Sequence, residues 1–297
     1  MNIKYLNTIE YGIIPKVLFV GNGINLLFDN GEPWSKIVED LSNEYNVKYD
    51  NVLFSKMPMT MQIVTATRDN VDKNMKTLSE KLCRLSYTEE AIEFYSKLVN
   101  LPFEAILTTN YSYELENAFF DEFSKYKLQK STYDTVRNAG DKESQFLYRY
   151  IKIDNERQSS LWHIHGEAYR PSTIVMGHYY YGKLLATVQN YIPDMIRRFK
   201  LSRKNREEYY PRSWVDYFML SDVHMLGFGM DFSETDIWWL ACCKKRNGQG
   251  KIFFHTMPAH ITEEQKLLME AYGIEVVKGK KNQTYKDFYN AFQISFN

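Results

Sequence analysis

Five short apolar runs constrain this chain more than any other feature: Val17-Leu18-Phe19-Val20, Ala105-Ile106-Leu107, Val223-His224-Met225-Leu226, Lys251-Ile252-Phe253-Phe254 and Ile274-Glu275-Val276-Val277. Each reads as a strand buried on both faces. Helical periodicity follows most of them, with amphipathic patterns over Trp34 to Glu44, Glu89 to Val99, Tyr113 to Phe123, Asp236 to Lys245, Glu263 to Tyr272 and Tyr285 to Phe292. Strand alternating with helix predicts an α/β fold built on a Rossmann-like, doubly wound, mostly parallel sheet. Residues 45–100 and 180–221 break the alternation and read as helical additions beside or above that sheet. No repeat, low-complexity tract or linker divides the chain, so residues 1–297 are expected to form one domain with those additions.

Composition removes several classes of function. Lysine plus arginine equals aspartate plus glutamate at 37 each, so no overall field draws the chain to nucleic acid or to an anionic membrane. The basic run Arg197, Arg198, Lys200, Arg203, Lys204 and Arg206 reads more readily as a solvated helix face than as a nucleic-acid or partner patch. Lys4, Asn7, Glu10 and Lys16 interrupt the opening stretch, and no segment reaches the ~20 apolar residues of a membrane span, so a cytoplasmic location is expected. Only Cys83, Cys242 and Cys243 occur, with no CxxC pair, which excludes a disulfide framework and a four-cysteine zinc site.

Four segments carry residues suited to chemistry. The first apolar run leads into Gly21-Asn22-Gly23-Ile24-Asn25, where Gly21 permits a tight turn and Gly23 lets the backbone approach a diphosphate; a purely structural turn fits as well. The second run ends in Thr108-Thr109-Asn110-Tyr111, a polar cluster where an open α/β sheet binds ligands, although any of its hydroxyls or its amide could simply cap the next helix. In Leu161-Trp162-His163-Ile164-His165-Gly166-Glu167, alternation points His163 and His165 to one side, and a histidine there could act as a general base or orient a ribose hydroxyl. Two histidines without a nearby cysteine or HExxH spacing make a poor metal site, so no metal is expected. Gly227-Phe228-Gly229-Met230-Asp231-Phe232-Ser233-Glu234-Thr235-Asp236 is again glycine-spaced at a strand end, with Ser233 or Thr235 available to cap the helix it opens. Each segment alone is a generic turn; four of them at strand ends of one sheet point to a ligand crevice. His178 could also reach that crevice, after a strand-like Thr173-Ile174-Val175, although an aromatic cluster explains it as well.

In this order, the four segments resemble the sirtuin-like (silent information regulator) domain, and particularly its divergent bacterial branch of antiphage NADases. The likeness runs from about Val17 to the helix after Asp236. Gly21-Asn22-Gly23-Ile24-Asn25, followed by Pro33-Trp34, looks like the first glycine motif of the family. Thr108-Thr109-Asn110-Tyr111 resembles its Thr-x-Asn-x-Asp signature, His165-Gly166 its His-Gly pair, and Gly227-Phe228-Gly229 with Asp231 and Asp236 its later glycine motif. Ser112 stands where the family usually has aspartate, Asn25 where it has serine or alanine, and the zinc-binding cysteines of the protein deacylases are missing.

The resemblance implies NAD+ as substrate. Asn110 and His165 would act at the nicotinamide ribose, Asn110 orienting water and His165 accepting a proton; Gly21, Asn22, Gly23, Asn25, Thr109, Gly227, Gly229 and Asp231 would hold the dinucleotide. The expected reaction is hydrolysis to nicotinamide and ADP-ribose by an antiphage effector, gated by homo-oligomerisation, a partner ATPase or a phage-derived trigger. A sensor or scaffold that binds NAD or ADP-ribose without turnover is the alternative, with ADP-ribosyl transfer or deacylation behind it.

Overall fold

The computed structural model describes residues 7–28, 31–68, 70–82, 87–119, 134–135, 147–153 and 158–296. The first half of the chain contains β1 (Lys16–Val20), α1 (Trp34–Glu44), α2 (Asn51–Phe54), α3 (Met59–Thr67), α4 (Val71–Leu82), α5 (Glu89–Val99), β2 (Ala105–Thr108), α6 (Glu114–Phe119), β3 (Asp134–Thr135) and β4 (Arg149–Lys152). The second half continues with β5 (Ser160–His163), α7 (Gly177–Asn205), α8 (Trp214–Leu220), β6 (Asp222–Leu226), α9 (Thr235–Asn247), β7 (Ile252–Thr256), α10 (Glu263–Tyr272), β8 (Ile274–Lys278) and α11 (Tyr285–Phe296).

One eight-stranded sheet runs in the order β3-β4-β5-β2-β1-β6-β7-β8. The six strands from β5 to β8 are mutually parallel, while β3 and β4 form an antiparallel edge. The chain builds outward from β1 through β2 to β5, then returns to the other side of β1 for β6, β7 and β8. This is the doubly wound order, and its switch point lies between β1 and β6.

Period-two alternation explains why both faces are covered. Val17 and Phe19 of β1 enter a core with α7, α8, α9 and α10, whereas Leu18 and Val20 enter the opposite core with α5, α6 and α11. Every residue of the second to fifth positions of β1 is buried, which is why that strand reads as an unbroken apolar run. A third cluster joins α1, α3 and α4 to Tyr111, Ile174 and Met176, so the helices within residues 45–100 roof the carboxyl end of the sheet.

The basic run of α7 is not wholly a solvated face. Arg198 bonds Asp216 Oδ1 of α8 at 3.2 Å and Tyr191 Oη at 2.9 Å, and Tyr191 and Tyr209 also donate to Asp216. Asp216 is fully buried and closes a capping box with Ser213, so this cation locks α7 to α8. Arg197, by contrast, pairs with Asp194 on the exposed face.

One expectation is corrected. The strand-like Thr173-Ile174-Val175 is not a strand: Thr173 ends a 3₁₀ turn opened by Pro171, which suits the first position of such a turn, and Ile174 and Val175 follow outside any strand. β4 was not legible: its sequence Arg-Tyr-Ile-Lys splits its two apolar residues between opposite cores, with charged residues at both ends. The helix expected over Tyr113 to Phe123 begins at Glu114 and is observed to Phe119, its remaining residues lying outside the described set.

Register brings the strand ends into line. Val20 sits beside Thr108 and Leu226, and Thr108 beside His163, so the loops after β1, β2, β5 and β6 emerge next to one another. The first and last of these touch directly: Gly23 N–H donates to Gly227 O at 2.7 Å. A Cβ on Gly23 would lie 2.7 Å from that same oxygen, whereas one on Gly229 would meet nothing within 4 Å. Gly23→Ala is therefore expected to lower stability by about 1–3 kcal/mol through overpacking, and Gly229→Ala by less than about 0.5 kcal/mol. Urea denaturation of the two variants checks the contrast.

Candidate active site

A cavity of ≈ 520 Å³ opens at the aligned strand ends, within the range of ligand-binding clefts. Asn22, Gly23, Thr109, Asn110, His165, Gly227, Gly229 and Asp231 line it; Gly21 and Asn25 do not. Gly21 lies behind the lining, where a Cβ would meet Gly227 O at 2.6 Å, so its size serves the junction of the two loops. Asn25 donates to Asn22 Oδ1 at 3.0 Å, accepts from Tyr95 Oη, and faces a side pocket of ≈ 50 Å³. The Gly23 amide is already spent on Gly227, so this glycine can give a diphosphate room but no hydrogen bond.

Asn110 follows β2 and is buried. Its amide Nδ2 donates to Glu114 Oε1 in the first turn of α6, and its backbone oxygen meets His163 Nδ1 at 2.6 Å. The Glu114 contact assigns the nitrogen to the protein side. Oδ1 accepts no hydrogen bond among the described residues and is the face Asn110 offers to a ligand. Thr108, expected as one of several possible caps, instead ties its hydroxyl to Val20 O at 2.9 Å across the β1–β2 boundary.

His163 and His165 do not share partners. The Nε2 of His163, the last residue of β5, lies 2.6 Å from Glu116 Oε1; His165 sits beyond the strand, with Nε2 2.9 Å from Asp236 Oδ2 of α9. Strand alternation stops at His163, which is why the two rings diverge. Gly166 then makes the turn, with φ of +88° and a Cβ position only 2.0 Å from Thr173 O, a place no side chain can occupy.

Burial pushes the His163 ring toward neutrality, but Glu116, Glu167 and the Asn110 carbonyl outweigh it and hold its pKa at about 9. Burial also lifts the Glu116 carboxyl, so the two titrate as a unit whose sign the 2.6 Å contact sets. The His165 ring is likewise raised, burial opposing it and Asp236 with Glu234 prevailing. Glu234 is lifted to about 7, chiefly by burial and by Asp236, with His165 pulling the other way. Among the described residues, Glu114, Glu116 and Asp236 each keep one buried carboxylate oxygen without a hydrogen-bond partner.

The sequence did not single out Glu234 or Tyr181, and both line the cleft. Tyr181 Oη donates to Glu234 Oε2 at 3.0 Å and lies 3.5 Å from His165 Nδ1. A Glu-x-Asp pair at a strand end entering a helix was the available signal for Glu234; nothing flagged Tyr181, which comes from α7. His165, Glu234 and Asp236 also bring donor atoms within 4.8 Å of one another. Two of these donors, His165 Nε2 and Asp236 Oδ2, bond each other directly. At the other end, Phe254, His255, His260, Tyr285 and Tyr289 give the cleft an aromatic wall.

Two lesser expectations fail. Ser233 bonds Asp231 Oδ1 through both its amide and its hydroxyl, and the residue before α9 is Glu234, whose side chain caps nothing, so neither Ser233 nor Thr235 caps that helix. His178 is exposed in the first turn of α7 and stands apart from the cleft.

A family model described as SIR2-like domain matches residues 104–277, more than half of the chain. The match spans Asn110, His165 and the Gly227 loop; β1 and its glycine loop precede it. Comparison with curated proteins found no match.

Because His163 keeps its proton to about pH 9 in the fold and only to its ordinary 6.5 when unfolded, its stabilisation is complete below 6.5 and lost as the pH rises through 9. Unfolding free energies measured by urea titration across that window are expected to fall less steeply in Glu116→Gln than in the wild type.

Proposed function

The chain belongs to the SIR2-like domain family, which uses NAD+ as substrate, and from that premise we propose that it hydrolyses the bond between nicotinamide and ribose, releasing nicotinamide and ADP-ribose. The supporting observation is that Asn110 and His165 line one cleft with the Gly23 and Gly227 loops. A dinucleotide in that cleft has its diphosphate beside the two glycine loops and its nicotinamide ribose between Asn110 and His165. Thr109, Asn22 and Asp231 lie along the same wall and supply polar contacts to the sugars.

Breaking the glycosidic bond develops positive charge on the ribose ring, so carboxylates already held nearby stabilise the transition state without reorganising. Glu114, Glu234 and Asp236 meet that requirement. Asn110 Oδ1, fixed as an acceptor by the Glu114 contact, orients the attacking water or a ribose hydroxyl. His165, pinned by Asp236, supplies a fixed hydrogen-bonding group on the opposite side.

Deacylation finds no support in the sequence, which lacks the cysteines of the deacylase zinc module. The described residues contain no helix long and apolar enough to cross a membrane. The resemblance to antiphage NADases adds a reading of purpose: unchecked loss of NAD+ harms a host cell, so such an effector needs gating by assembly or by a partner.

Incubation of the purified chain with NAD+, over a range of protein concentrations, is expected to release nicotinamide. Asn110→Ala and His165→Ala are each expected to slow release by about 10²-fold or more with the fold intact by circular dichroism. Wild-type rates in both variants remove these two residues from the reaction, and NAD+ binding without any release favours a sensor.

A further inference from the structure

His163 shares a motif with His165, yet the hydrolysis leaves it without a task. It ends β5 beside Thr108 of β2, its side chain is buried, and it does not line the cleft. Both of its nitrogens are nevertheless engaged. Nδ1 lies 2.6 Å from the backbone oxygen of Asn110, and Nε2 lies 2.6 Å from Glu116 Oε1.

The partners fix the direction of these bonds. A carbonyl oxygen can only accept, so Nδ1 carries a hydrogen and donates it to Asn110. On the other side a proton bridges Nε2 and the Glu116 carboxylate. Burial opposes a charged ring, but Glu116, Glu167 and the Asn110 carbonyl outweigh it and keep the ring protonated to about pH 9.

With that contact, every polar atom of Asn110 but one is held. Its backbone N–H donates to Thr108 Oγ1 at 3.1 Å, its Nδ2 donates to Glu114 Oε1, and its carbonyl accepts from His163. The exception is Oδ1, the atom offered to the cleft. Glu114 and Glu116 are both buried and both belong to the first turn of α6. Residues two apart on a helix face different ways, so the first carboxylate reaches the Asn110 side chain directly and the second reaches its backbone through the imidazole.

We propose that His163 is a positioning residue for the hydrolysis: anchored by Glu116, it fixes the Asn110 backbone and so aims Oδ1 at the attacking water or ribose hydroxyl. The inference rests on the hydrolase reading above. His163 lies outside the cleft, so it acts on the rate through Asn110 and leaves NAD+ binding alone. A displacement of about 1 Å at a group that orients a reactant can cost about 10²-fold in rate, which is how a contact remote from the substrate governs turnover.

The test measures nicotinamide release from NAD+ by the full chain, with NAD+ affinity measured by calorimetry and folding checked by circular dichroism. Leucine has a size comparable to histidine and no donor, and His163→Leu is expected to lose about fivefold or more in kcat while NAD+ affinity stays within about threefold. His163→Asn returns an amide N–H near the place of Nδ1 and is expected to release nicotinamide at least about threefold faster than His163→Leu, which a role in packing alone would not give. Asn110→Ala keeps the backbone carbonyl but has no Oδ1 to aim, so adding His163→Leu to it is expected to cost less than about twofold more. His163→Ala, which needs no added room, repeats this cycle if the leucine variant does not fold. A smaller loss in the single variant, a looser hold on NAD+, a smaller recovery with asparagine or a larger added cost beside Asn110→Ala overturns the assignment and leaves the hydrolase reading standing. A wild type that binds NAD+ and releases no nicotinamide at any concentration removes the hydrolase reading first and this inference with it.

Discussion

A backbone hydrogen bond, Gly23 N–H to Gly227 O at 2.7 Å, joins the two loops at the switch point of the sheet, and the cleft depends on it. A Cβ on Gly21 or Gly23 would lie within 2.7 Å of Gly227 O, and one on Gly227 would lie 2.9 Å from Ile24 N, so three glycines meet at that place. Gly227 also adopts φ of +66°, so its identity is dictated by conformation as well as by space. With the β1 and β6 loops drawn together, the β2 loop delivers Asn110 and the β5 loop delivers His165 beside them. The glycine spacing thus serves the architecture of the crevice before it serves any ligand.

Around this frame the protein places an unusual amount of buried charge. His163 with Glu116 and His165 with Asp236 form two imidazole–carboxylate pairs carried by one short stretch of chain, and each pair faces a helix entered just after a strand end. Burying such groups costs free energy that a purely structural core would avoid. The first pair braces the Asn110 backbone, and the second holds His165 below Glu234 and Tyr181. Among the described residues, Glu114, Glu116 and Asp236 each leave one buried oxygen without a hydrogen-bond partner beside these pairs.

Where the sequence misled, the cause was local reasoning applied past the end of an element. His163 and His165 appear to share a face only if β5 continues, and it ends at His163. Ser233 has the right chemistry for a helix cap, but Asp231, two residues earlier, captures both its polar groups. Asn25 sits in the first motif yet turns to Asn22 and Tyr95, a partner 70 residues away that no local pattern announces. Gly229 met the glycine spacing of its motif, but no neighbouring atom requires it to be small.

The sequence by itself determined the class of fold and the side of the sheet on which chemistry would sit. Apolar runs such as β1, β2 and β6, buried at nearly every position, demand helices above and below, and a parallel sheet made that way gathers polar turns at its carboxyl edge. Only the tertiary structure decided which turns touch, which histidine faces the cleft, and that Glu234 and Tyr181 join Asn110 and His165 there. The reason is physical: strand and helix periodicity are encoded over a few neighbouring residues, whereas hydrogen-bond partners such as His165 and Asp236, 71 residues apart, are chosen by strand register and by the burial that closes water out.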